Sequence, residues 1–141
     1  MHDIRLAMTD AEIAATFGVM AQLRTHLKEA EYVALIQHQA KESGYCLACL
    51  HDGDRVCAVA GFRISHSLAW GRHVYIDDLI SDAGMRSLGY GEALVDWVAA
   101  FGKAHGCAEL HLDSGVQRHG AHRFYLRNRM DITCYHFKLI L

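Results

Sequence analysis

Residues 73–94 read HVYIDDLISDAGMRSLGYGEAL. The first part, His73 to Ile80, is apolar and β-like and predicts a strand that carries the acidic pair Asp77-Asp78 near its end. A glycine-bearing stretch, Gly84 to Gly91, follows and leads into a strong amphipathic helix from Glu92 to His105. The N–H groups at a helix start have no intrahelical acceptors and carry the positive end of the helix dipole. Glycines let an anion come close to the backbone. Arg86 adds a cation that forms charge-assisted bonds. A strand, Arg-x-x-Gly-x-Gly and a helix in that order therefore suit a pyrophosphate. Two glycines alone also mark plain tight turns. The stretch lacks the Gly-Lys-Ser/Thr ending of a Walker loop, and Leu94 stands where a dinucleotide fingerprint needs its third glycine.

The rest of the chain is read outward from this stretch. On the C-terminal side, Leu94, Val95, Val98 and Phe101 mark the buried face of the helix, and Gly106 closes it. Ala108 to Asp113 predicts a short strand, Gly120 to Asn128 a helix, and Asp131 to Leu141 a closing strand. On the N-terminal side, residues 3–7 alternate as a strand. One helix is expected from Asp10 to about Arg24, capped by Thr9 or Asp10 with Glu12 in its first turn. A second is expected over 28–42, with Tyr32, Leu35, Ile36 and Gln39 on one face and Gly44 closing it. Tyr45 to Leu50 and Arg55 to His66 are strands joined at the Asp52-Gly53 hairpin signal. The chain has no Pro, linker or repeat, so residues 1–141 are expected to form a single domain.

Composition bounds the function. The 141 residues are 52% hydrophobic and 21% charged, as in a globular protein. The net charge of −2 lacks the Lys and Arg surplus that general nucleic-acid or anionic-membrane binding needs, so neither partner is expected. No apolar run is long enough to span a bilayer and no secretory signal is visible, so a cytoplasmic location is expected. The five cysteines suggest no disulfide framework. Cys46 and Cys49 form a C-x-x-C, but strand residues three apart face opposite ways and cannot share a tetrahedral metal. Of the 11 histidines, His119 and His122 share a helix-like spacing, but no second His or Cys pair with zinc-like spacing completes a site, and no metal is expected.

These residues together carry a resemblance. Arg86 to Gly91 resembles motif A of the GCN5-related N-acetyltransferase (GNAT) superfamily, [RQ]-x-x-G-x-[GA]. The stretch 73–94 resembles that family's strand-four to helix-three unit, and AHRFYLRNRM, residues 121–130, its fourth helix. The order of elements along nearly the whole chain is similar as well. The resemblance implies an α/β (α+β) fold with a central, mostly antiparallel mixed sheet flanked by helices. It implies an enzyme that moves an acetyl group from acetyl-CoA to a primary amine, expected to belong to a small molecule. Two alternatives stay open, a protein acetyltransferase and a non-catalytic acyl-CoA-binding module.

The carry-over of residues is specific. Arg86, Ser87, Leu88, Gly89, Tyr90 and Gly91 match the pyrophosphate loop. Leu79, Ile80 and Ser81 match the strand whose amides pair with the pantetheine arm and polarise the thioester carbonyl. Tyr125 matches the tyrosine that protonates the leaving thiolate, and Asp77 the general base. Asp78 and Asp113 are expected to bind substrate, the three aspartates making an electronegative pocket for a cationic amine. Adjacent strand residues face opposite ways, so Asp77 and Asp78 enter one site only through a bulge. Arg118 stands where an Asn often contacts the cofactor, and is expected to reach a phosphate. Arg129-Met130 replaces the usual Gly-Phe, and Asn128 is expected to take the left-handed cap. The C-terminus supplies one strand where the family commonly has two. The bare edge that this implies predicts a homodimer.

Overall fold

A two-residue turn at Gly53-Asp54 sets the register of the sheet, with Asp52 directly opposite Arg55. The structure, a computed structural model, describes residues 2–141. Its strands are β1 (His2–Leu6), β2 (Cys46–Asp52), β3 (Arg55–Ser67), β4 (Gly71–Ser81) and β5 (Glu109–Leu112). They form one sheet in the order β1-β2-β3-β4-β5, and the first three pairings are antiparallel. The helices are α1 (Asp10–Ala14), α2 (Phe17–Leu23), α3 (Glu29–Ser43), α4 (Tyr90–Ala104) and α5 (His119–Arg127). This mixed sheet flanked by helices is the expected α+β class. The chain divides into two compact units, Met1–His111 and Leu112–Leu141. No helix among the described residues is long and apolar enough to cross a membrane.

In the first unit the pleat sends alternate residues of β2 and β3 to opposite faces. Leu47, Cys49 and Val59 join Ile13, Val19, Met20, Tyr32 and Ile36 of the N-terminal helices in one core cluster. The opposite face is built of small residues, Ala48, Ala58 and Ala60, all fully buried. Phe62 meets Phe101 of α4 edge-on at 5.2 Å, which places α4 against that face. Leu94 and Val98 of α4 are wholly buried, each contributing roughly 1.5–3 kcal/mol. Burial also pushes the Cys49 thiol up to about 12, so it packs as a small hydrophobe.

Two sequence expectations are corrected. The single helix over 10–24 is two helices. Thr9 and Glu12 close a full capping box at the start of α1. The helix then breaks because the Thr16 hydroxyl donates to the Ile13 carbonyl at 2.7 Å, offering the backbone a local alternative. The same hydroxyl lies 2.6 Å from that of Tyr32, which anchors the break to α3. The strand expected over 131–141 does not form. These residues have no regular structure, and Ile132, Tyr135, Phe137, Leu139 and Ile140 are exposed. Alternation makes a segment fit for pairing, but a strand exists only when its backbone is bonded to a neighbour.

Candidate active site

The C-terminal end of β4 is irregular where chemistry was expected. Gly61 of β3 is opposite Asp78, yet the next residue, Phe62, is opposite Ile76. Asp77 is therefore an extra residue, a β-bulge. A bulge re-aims a side chain that regular pleating would send to the other face. As a result, Asp77 and Asp78 both line one cavity of about 340 Å³. Met20, Tyr32, Ile36 and Tyr45 are its buried walls, while Arg24, His26 and Gln39 add polar groups.

Neither carboxylate is free. Arg63 grips Asp77 through two bonds of 2.8 Å, Nε to Oδ2 and Nη2 to Oδ1. Asp78 accepts from Arg24 Nε at Oδ1 and from the Tyr45 hydroxyl at Oδ2, each at 2.8 Å. Arg24 Nη2 also donates to the Asp77 carbonyl at 2.8 Å, so one guanidinium bridges the bulge. Such charge-assisted forks fix geometry as well as charge. Burial, reinforced by the Asp78 charge, raises the Tyr45 hydroxyl above the usual phenol range and keeps it a donor. Tyr45 occupies space that only glycine leaves open. A Cβ on Gly61 would fall 1.7 Å from the Tyr45 oxygen.

Beyond the bulge, β4 runs on through Leu79, Ile80 and Ser81, paired on one side with β3. β5 has only four residues against eleven in β4, and the Ala108 amide bonds the Arg72 carbonyl near the start of β4. β5 thus begins beside the start of β4 and is too short to pair along its whole length.

Asp82 then pins the chain. It accepts from Arg55 at 2.7 Å, from Gln22 at 3.2 Å and from the Gly84 amide at 3.3 Å, bonds that hold its carboxyl below the usual range. After a short 3-10 turn at Ala83–Met85, Ser87 and Gly89 both take left-handed backbone, φ 68° and 81°. Left-handed residues between ordinary ones curl successive N–H groups inward, the geometry of an anion nest. Ser87 holds this conformation without being glycine, a strain of the kind stored at functional sites. Gly89 is the N-cap of α4 and makes no side-chain cap bond, which leaves the helix-start amides available. Arg86 is exposed and has no acidic partner among the described residues. Gly91 lies in the first turn of α4. The Tyr90 ring meets His2 edge-on at 5.7 Å, and burial and the nearby Asp52 charge raise its hydroxyl above the usual value, so its side chain is turned to other partners and only its backbone is assigned to the loop.

The second unit carries the remaining expected residues. Tyr125 lies on α5, half-buried. Burial raises its hydroxyl above the usual value, and the charge of nearby Arg118 partly offsets that rise. It is therefore a phenol at neutral pH with a cation nearby. Asp113 is paired with His136 at 2.6 Å. α5 ends in a full Schellman cap: the Arg129 amide bonds the Leu126 carbonyl and the Met130 amide bonds that of Tyr125, each at 3.1 Å. The left-handed residue is Arg129 at φ 63°, not Asn128 as expected. The motif requires that turn one position past the cap, and Asn128 instead sends its side-chain amide back to the Phe124 carbonyl. Arg129 adopts the conformation at a cost of about 1–2 kcal/mol.

Comparison with known proteins agrees with this geometry. The profile of the acetyltransferase (GNAT) family matches residues 10–129. The chain belongs to the GNAT family of acetyltransferases. It is 33% identical over 122 residues to the uncharacterized N-acetyltransferase YhdJ of Bacillus subtilis (strain 168), covering 86% of this chain and 85% of that one. Solved structures share the GNAT fold at lower identity. A transcriptional regulator from Bacillus halodurans C-125 superposes with a TM-score of 0.87 at 20% identity, with full coverage of both chains. The aminoglycoside N-acetyltransferase AAC(6')-Iy, solved with CoA, gives a TM-score of 0.88 at 15% identity, covering 100% of this chain and 95% of that one.

Within the GNAT framework, the structure brings Asp77 and Asp78 together and puts the loop 86–91 at a helix start as read from sequence. It corrects the electrostatics of the pocket, because each carboxylate carries its own arginine. Sequence reading missed Arg24, Arg63, Tyr45 and Gly61. Arg63 had a signal, since the β3-β4 hairpin sets it near Asp77. Arg24 and Tyr45 had none, because their partner lies 54 and 33 residues away.

Proposed function

We propose that this GNAT protein transfers an acetyl group from acetyl-CoA to the primary amine of a small molecule by direct attack. The observation that carries the reading is the bulge that turns Asp77 and Asp78 into one cavity, on the strand that leads into the loop 86–91. Residues 1–141 act in this proposal as one catalytic domain, supported by a family match over residues 10–129 that takes in part of each compact unit.

The residues present fit the cosubstrate. The nest of Ser87 and Gly89, the amides of Leu88, Tyr90 and Gly91, and the exposed Arg86 would hold the pyrophosphate. The backbone of Leu79, Ile80 and Ser81 would take the pantetheine arm as an added strand. Acetyl-CoA supplies an activated acetyl carbon. Asp78 holds the incoming ammonium, and Asp77 takes its proton through a water. The Arg63 clamp leaves each Asp77 oxygen a further lone pair for that water. Tyr125 gives its Oη proton to the departing sulfur, with Arg118 steadying the oxygen that remains. Arg118 keeps further donors for a phosphate. We also propose a homodimer, supported by the exposed, alternating segment 131–141; equilibrium sedimentation is expected to give twice the chain mass.

The test is to incubate the protein with isotope-labelled acetyl-CoA, a panel of small amines and a mixture of unfolded peptides, and to read the label by mass. Label on a small amine is the expected result. Label on peptide lysines or N-termini would reassign the protein as a protein acetyltransferase. Bound but untransferred acetyl-CoA would make it a binding module.

A further inference from the structure

A pocket that selects a free cation offers unpaired negative charge, and this one does not. Asp77 is matched by Arg63, and Asp78 by Arg24 and the Tyr45 hydroxyl. A polycation gains no surplus charge here, so the acceptor must be recognised by something else.

Arg24 supplies it. A guanidinium has five N–H donors in two forks. Nε and one Nη2 hydrogen of Arg24 are committed to β4, on the Asp78 carboxylate and the Asp77 carbonyl. The opposite fork, Nη1 and the second Nη2 hydrogen, has no acceptor among the described residues. Arg24 lines the cavity and its side chain is 43% exposed, with His26 beside it as a second polar group. The β4 bulge holds the guanidinium rigidly, so its open fork is preorganised for a planar anion. The carboxylates whose charge the arginines balance stand in the same cavity, with lone pairs left for an ammonium.

We infer that the acceptor carries a carboxylate a few bonds from its amine: the carboxylate docks on the open fork of Arg24, and the amine lies against Asp77 and Asp78. This rests on the acetyl-transfer reading above and narrows its substrate class to amino-acid-like molecules.

The experiment uses the full chain with matched pairs of acceptors, amino-carboxylic acids and their carboxamides, which differ only in the anion. Thiol release from acetyl-CoA gives kcat/KM, and calorimetry on CoA-loaded protein gives affinity. The acid member is expected to be preferred by roughly ten- to a hundredfold in both, the usual worth of a hydrogen bond to a charged group. Arg24→Gln is expected to bring the ratio near one and leave CoA affinity unchanged, with Arg24→Lys intermediate because it keeps the charge and loses the fork. Equal use of acids and amides by the wild-type protein overturns the inference while acetyl transfer stands. A preference that persists in Arg24→Gln overturns it as well. Acid-selective binding that depends on Arg24, with no acetyl transfer to any amine, keeps the inference and sinks the transfer reading. Should Arg24→Gln fail to fold, the wild-type acid-to-amide ratio decides alone.

Discussion

The loop 86–91 and the cavity at the β4 bulge are neighbours in sequence but are built differently. The loop is made of backbone: left-handed turns at Ser87 and Gly89 and the open amides of a helix start. The cavity is made of side chains: two carboxylates, the guanidinium of Arg24 and a buried phenol, with Arg63 clamping one carboxylate, drawn from four separate parts of the chain. Backbone sites of this kind tolerate change in most side chains and fail when the turn is lost. Side-chain sites keep their outline and change their chemistry one residue at a time. A cosubstrate shared across a family suits the first construction, and an acceptor that varies suits the second.

This contrast orders the expected effects. Tyr125→Phe keeps the ring and removes only the hydroxyl, so coenzyme A affinity is expected to stay close to wild type. Turnover is expected to fall by roughly ten- to a thousandfold, around the usual worth of one general acid. Near-normal turnover would leave Tyr125 as a packing residue. Asp77→Asn replaces the clamped carboxylate with a neutral amide and takes away the proposed proton acceptor. Its loss of turnover, on the order of tenfold to a hundredfold, is expected to be greatest near neutral pH and partly recovered at high pH, where the amine is already free. A defect flat across pH would make Asp77 a positioning charge. Gly61→Ala acts on the cavity alone. Its methyl group would displace Tyr45 and break the bond to Asp78, at a cost of about 1–3 kcal/mol in stability. Denaturant midpoints check that figure, and the KM for amine is expected to rise with that for acetyl-CoA unchanged.

The same contrast explains what the sequence made legible. The loop could be read because its determinants are local: glycines, an arginine and a helix start within a few residues. Asp77 and Asp78 could be read as a pair, but their neutralisation could not, since Arg24 and Tyr45 reach them only through the fold. The helix break at Thr16 depends on Tyr32, another distant partner. The C-terminal alternation gave the reverse error. Residues 131–141 carry a strand's pattern without a strand's pairing, and pattern alone does not supply the neighbour. At Arg129 the position of the left-handed turn was set by the cap geometry and overrode the preference of Asn128.

The central claim is that coenzyme A is held by the backbone of 86–91. Calorimetric titration of coenzyme A into wild-type protein and into Gly89→Val, with folding of both checked by circular dichroism, tests it most directly. A β-branched residue at φ 81° distorts the nest and crowds the phosphate. The account predicts binding to wild type and a loss of about a hundredfold or more in the variant, equivalent to at least roughly 2.7 kcal/mol. Equal affinity in a folded Gly89→Val protein, or no binding to wild type, would contradict it.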